Sequence, residues 1–167
     1  MPFLSTAVVV YLLAAAAVAS LVWMLRGSFL FFSALCLPGT FAHELSHWLT
    51  GFLTNAQPTS LSIIPRKNGA TYVLGSVFFR NVRWYNGAVV GFSPLLLLPC
   101  AYFIAIQRAD QLQIIPSAID VALLYLSAQC LIACIPSTQD IKIAMLNSWW
   151  LFLLLAAAAL WHHFSGF

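Results

Sequence analysis

The stretch FAHELSHWLTG, residues 41–51, carries His43, Glu44 and His47: two of the four histidines and the only glutamate of the 167-residue chain. Read as a helix, the spacing of three and four residues brings Thr40, His43, His47, Thr50 and Thr54 onto one face, with apolar residues over most of the rest. A polar stripe on an apolar helix belongs in the interior of a bundle, because ionisable groups facing lipid are costly.

The rest of the chain sets the context. Hydrophobic residues make up 62% of it and charged residues 7%, and the mean hydropathy is +0.93, a profile of integral membrane proteins. The net charge of +3 is spread thinly, with no basic run to follow a phosphate backbone, so a nucleic-acid partner is excluded. At about 20 residues per crossing, the expected fold is all-α, a single membrane domain over 1–167. Five transmembrane helices are expected, at about 3–25, 28–53, 87–106, 118–135 and 143–161.

No basic segment precedes the first run, which therefore reads as a retained span and not a signal peptide. Pro38-Gly39 marks a kink in the second. Between the second and third, residues 61–79 are richer in β-branched residues, and Asn68-Gly69 separates two apolar stretches, which predicts a β-hairpin. Five crossings place Arg26 and Arg108 on one side and Arg66, Lys67, Arg80, Arg83 and Lys142 on the other, so the second side and the N-terminus are expected to be cytoplasmic. The His43–His47 end of the second span is then expected toward the cytoplasmic face.

His43 and His47, four apart, can present two imidazoles to one ion, with Glu44 beside them as general base toward a water held by that ion. This is the spacing of a zinc hydrolase. A third ligand is needed. In the five-span arrangement Asp110 and Asp120 fall at the opposite membrane face, whereas Asp140 follows the fourth span on the side of His47. Asp140 is thus the candidate, its alternative role being an N-cap for the following helix. His162 and His163 fall at the far end of the last span. Cys36, Cys100, Cys130 and Cys134 all lie in apolar segments and read as small buried hydrophobes, although Cys130 and Cys134 share a helix face and stand as possible additional metal donors.

With HELSH (His43, Glu44, His47) in an apolar helix and an aspartate, in PSTQD (Asp140), beside a later one, the chain resembles the site-2 protease family of intramembrane zinc metalloproteases. The likeness covers the second to fifth expected spans. It departs from the family at Asp140-Ile141, where a D-G pair is commoner. The resemblance implies one zinc ion per chain, held by His43, His47 and Asp140, and hydrolysis of peptide bonds in transmembrane or membrane-tethered substrates. It also implies a bacterial inner or plasma membrane setting, a form without PDZ or CBS domains, and regulation by the hairpin, the first span or a partner protein. Substrate contacts are expected from the hairpin's strand edge, including Tyr72 and Val73, by main-chain pairing, and from Ser93 or Asn86 in the position of a family asparagine. The alternative is a metal transporter or sensor that uses the same His/Asp cluster.

Overall fold

The computed structural model describes residues 5–68, 71–111, 116–147 and 149–165. Helix α1, Thr6–Met24, starts where the Ser5 hydroxyl accepts the Val8 N–H, and it runs through a 3₁₀ turn to Gly27. Its buried residues Val8, Tyr11, Ala15 and Val22 recur at helical spacing, and this stripe lies against α5 (Leu97–Arg108) and α6 (Ala118–Ala133). The buried faces of α5 and α6 are lined with small residues, Ala101, Ala105, Ala128 and Ala133, which let the helix backbones come close.

Five spanning helices are not what the chain forms. Among the described residues, only Thr6–Gly27 is long and apolar enough to cross a bilayer. A second would exist only if α6 and α7 (Thr138–Asn147), bent by 51° at their junction, made one crossing. In the second and third expected spans prolines account for the difference, because each removes an amide donor and clashes with the preceding turn. Pro38 divides the expected second span into α2 (Phe29–Leu35) and α3 (Leu37–Leu53), and it occupies the first turn of α3, where no amide is missed. Pro94 divides the third into α4 (Gly87–Gly91), a 3₁₀ turn (Ser93–Leu96) and α5. Over the fifth, the described residues form α7 and, from 149 onward, α8 (Trp149–Ser165). The two-sided count of lysine and arginine, which presupposes five crossings, loses its basis with them.

Between α3 and α4 lie four strands: β1 (Pro58–Ser62), β2 (Arg66–Asn68), β3 (Thr71–Val73) and β4 (Ser76–Phe79). β2 pairs antiparallel with β3, Arg66 opposite Val73, and β1 with β4, Leu61 opposite Val77, so one pair nests inside the other. The ladders part at residues 63–65 and 74–75, and Gly69 of the expected turn lies outside the described residues. Tyr72 stacks on Phe29 of α2 at 4.7 Å, and Leu74 packs on the Val22, Phe32 and Cys36 cluster, which hold the middle of the hairpin against the helices.

At the start of α6, Ser117 and Asp120 make a reciprocal capping box, and Asp120 also pairs with Arg108 at the end of α5. Cys130 and Cys134 are buried with Leu97, Ala101 and Ala133. Aliphatic packing therefore accounts for both thiols.

Candidate metal centre

His43 and His47 project one turn apart from α3, and Asp140 meets them from the first turn of α7. His43 Nε2 stands 3.4 Å from Asp140 Oδ2, His47 Nε2 stands 3.2 Å from Asp140 Oδ1, and the two Nε2 atoms are 3.2 Å apart. Three ligand atoms about 2.0–2.1 Å from a tetrahedral centre lie roughly 3.3–3.4 Å from one another. The two imidazoles meet different oxygens of the Asp140 carboxylate at separations close to these, and the group can hold a metal ion.

The outer nitrogens fix which atoms face inward. His43 Nδ1–H donates to the Ala133 carbonyl at 2.7 Å, and His47 Nδ1–H to the Val90 carbonyl at 2.8 Å. Both imidazoles are thereby held in the tautomer whose Nε2 carries a lone pair, the arrangement by which proteins orient histidine ligands. Two such lone pairs 3.2 Å apart repel unless a proton or a metal ion lies between them.

Each ligand is anchored to a different helix: His43 to α6, His47 to α4, and Asp140 to α7. Close helix approach makes this possible. A Cβ on Gly91 would stand 2.5 Å from the Asp140 backbone oxygen and 2.7 Å from Ala144 Cβ, so only glycine lets α4 lie this near α7.

Asp140 is both a candidate ligand and a cap. Its Oδ2 accepts the Ser137 N–H at 2.6 Å, while the Ser137 hydroxyl accepts the Asp140 N–H at 3.2 Å. The helix terminus favours a carboxylate there, and the same bonds aim it at the imidazoles.

Glu44 is 6% exposed and makes no ligand contact of this kind. Burial pushes its carboxyl above the ordinary range, and the neighbouring His43 and His47 pull it only part of the way back. For His43, burial disfavours the charged ring, but the hydrogen bonds to Asp140 and Ala133 outweigh it and raise the pKa.

The residues expected to contact substrate are placed as follows in the fold. Ser93 lies behind His47, its hydroxyl 2.9 Å from Nδ1 and donating to the Val90 carbonyl, where it positions the ring. Asn86 is fully buried; its Oδ1 accepts the Arg83 N–H and its Nδ2 donates to the Thr54 and Asn81 carbonyls, so the amide closes the loop after β4. Tyr72 and Val73 are in β3, paired with Lys67 and Arg66, and are partly exposed. Gly75, which sequence reasoning missed, touches Glu44: a Cβ there would lie 2.6 Å from both Glu44 Cγ and Oε1.

Comparison with protein-family models, with curated proteins and with solved structures gives no match, so the functional reading rests on this geometry and on the residues that build it.

Proposed function

We propose that this chain is a zinc-dependent peptidase that acts on membrane-embedded or membrane-tethered polypeptides. The observation that carries the proposal is the convergence of His43 Nε2, His47 Nε2 and the Asp140 carboxylate into a group that can hold a metal ion, flanked by a glutamate that is not one of its members. Two nitrogens and one carboxylate oxygen suit zinc better than the all-oxygen shells of calcium or magnesium.

A bound zinc ion supplies Lewis acidity and acidified water. The protein does the rest. Glu44, its carboxyl raised by burial, is suited to take a proton from the attacking water near neutral pH and deliver it to the departing amine. The Ala133 and Val90 carbonyls keep both rings in place while charge changes around them.

A membrane substrate is supported by the surface. Leu30, Leu53, Leu146 and Phe164 are each more than three-quarters exposed, within a far larger set of exposed apolar side chains than water-facing proteins carry. A substrate drawn from such surroundings must lose helicity locally, since a helix hides its carbonyls from attack.

The test is zinc content and cleavage of fluorescein-labelled casein by detergent-purified protein. About one zinc per chain, lost in His43→Ala and kept in Glu44→Gln, with cleavage abolished in both, is expected. If Glu44→Gln cleaves as well as the parent, the peptidase reading is wrong.

A further inference from the structure

We infer that the groove between α8 and the loop that carries Trp84 is a binding site for an anionic phospholipid, its acyl chain lying along α8 and its phosphate meeting Arg83. The inference does not depend on the peptidase reading. The groove has a volume of about 600 Å³ and is lined by Trp84, Trp149, Trp150, Leu153, Leu154 and Ala157. All but Trp84 come from α8, where Trp149, Leu153 and Ala157 form one row and Trp150 and Leu154 a second beside it, so they share one helix face.

The two ends of the groove differ. At the start of α8, Trp150 Nε1–H donates to the Trp84 carbonyl at 2.7 Å, and the two rings meet edge to face at 5.6 Å. The ring's one polar atom is thereby taken up on Trp84. From Trp149 to Ala157 the lining covers about 12 Å at 1.5 Å per residue, and it turns aliphatic after the tryptophans. Indole rings followed by aliphatic side chains match the order of an amphiphile at a bilayer interface, headgroup level first and acyl region beyond.

The charge lies at the tryptophan end. Arg83 immediately precedes Trp84, and its Nε donates to Asn81 Oδ1 at 2.6 Å, a bond that leaves the two terminal nitrogens to a further partner. Arg80 follows β4 three residues earlier, and neither arginine has an ion pair among the described residues. A guanidinium held this way suits a phosphate, which it can meet with two parallel hydrogen bonds.

The size of the groove argues for a lipid tail over a helix. A helix is about 10–12 Å across, so this volume would hold little more than one turn of it. An acyl chain is a single file of methylenes and fits lengthwise. Its contacts would fall on a helix whose side chains from Leu153 to Phe164 are all exposed.

The experiment uses the full chain in dodecyl maltoside and two probes, phosphatidylglycerol and phosphatidylcholine, each brominated on one acyl chain so that it quenches an indole on contact. Trp23→Phe, Trp48→Phe and Trp161→Phe together leave the groove tryptophans as the only indoles. In this background quenching should saturate, and phosphatidylglycerol should reach half-saturation at about 5-fold lower lipid content than phosphatidylcholine, the gain for one basic residue beside an anionic headgroup. Arg83→Gln should bring the two curves together, whereas Arg83→Lys, which keeps the charge, should hold them apart. Ala157→Phe, which fills the aliphatic end, should weaken both. Coincident curves in the unmodified groove overturn the inference, as does quenching that rises without saturating, the mark of general solvation by the micelle. A preference for phosphatidylglycerol that survives Arg83→Gln overturns it too. So does fluorescence insensitive to both lipids in a chain that sediments as a dimer, which would assign the groove to a second copy.

Discussion

Gly75 lies against Glu44 so closely that one added methyl group would sit 2.6 Å from the carboxylate oxygen Oε1. The residue between two interrupted strands thus sets the room available to the one glutamate of the chain. Gly75→Ala should displace the Glu44 carboxylate while leaving the three ligands in place. We expect casein cleavage to fall roughly 10- to 100-fold, the order that small misplacements of a catalytic group cost. Zinc content measured in parallel should be unchanged; loss of zinc would show that the hairpin supports the ligands themselves.

The two roles of Asp140 can be separated. Ser137→Ala removes the hydroxyl that caps α7 but no ligand, and should cost about 1 kcal/mol of stability with full zinc occupancy. Asp140→Asn keeps a side chain able to cap but removes the charged member of the group. Its zinc affinity, measured by competition with a chromogenic chelator, should drop by more than the roughly 10- to 100-fold that loss of an outer-shell partner costs. If Ser137→Ala loses zinc equally, capping alone accounts for the aspartate.

Ser93→Ala should act through His47. The ring keeps its bond to the Val90 carbonyl but loses the hydroxyl that shares it. Zinc affinity should weaken about 10-fold, at the low end for an orienting group. A variant with parental zinc affinity and impaired peptide binding would return Ser93 to the substrate side.

The pH dependence of stability should change sign with metal. Without metal, His43 has a pKa raised above its ordinary 6.5, so its contribution is fully present below that value and is lost as pH rises through the raised one. Glu44, raised above its ordinary 4.5, acts in the same direction. Zinc requires unprotonated imidazoles, so its stabilisation grows over the same range. The gap in Tm between zinc-loaded and chelator-treated protein should therefore widen from about pH 5.5 to about pH 8. A constant or narrowing gap would mean that His43 is not a ligand.

The grouping of His43, His47 and Asp140 was legible in sequence because helical spacing joins His43 to His47, and because Asp140 is an acidic residue beside a turn after the fourth apolar run. The helix count was not, because hydropathy counts apolar residues and is blind to Pro38 and Pro94 dividing the runs. Asn86 and Ser93 were read as substrate contacts by position; only their hydrogen bonds show that one closes a loop and the other steadies a ring. Gly75 gave no sequence signal; what distinguishes it is the Glu44 carboxylate that lies opposite.

That His43, His47 and Asp140 are tethered to α6, α4 and α7 respectively makes the centre a gauge of assembly. α7 packs on α4, whereas α6 belongs with α1 and α5, and α3 touches both groups. A shift of one group against the other would pull the three side chains apart before any helix melted. Affinity for an added metal ion in a given detergent or lipid would then report how well the two halves are seated, and a chain assembled askew would bind it less tightly.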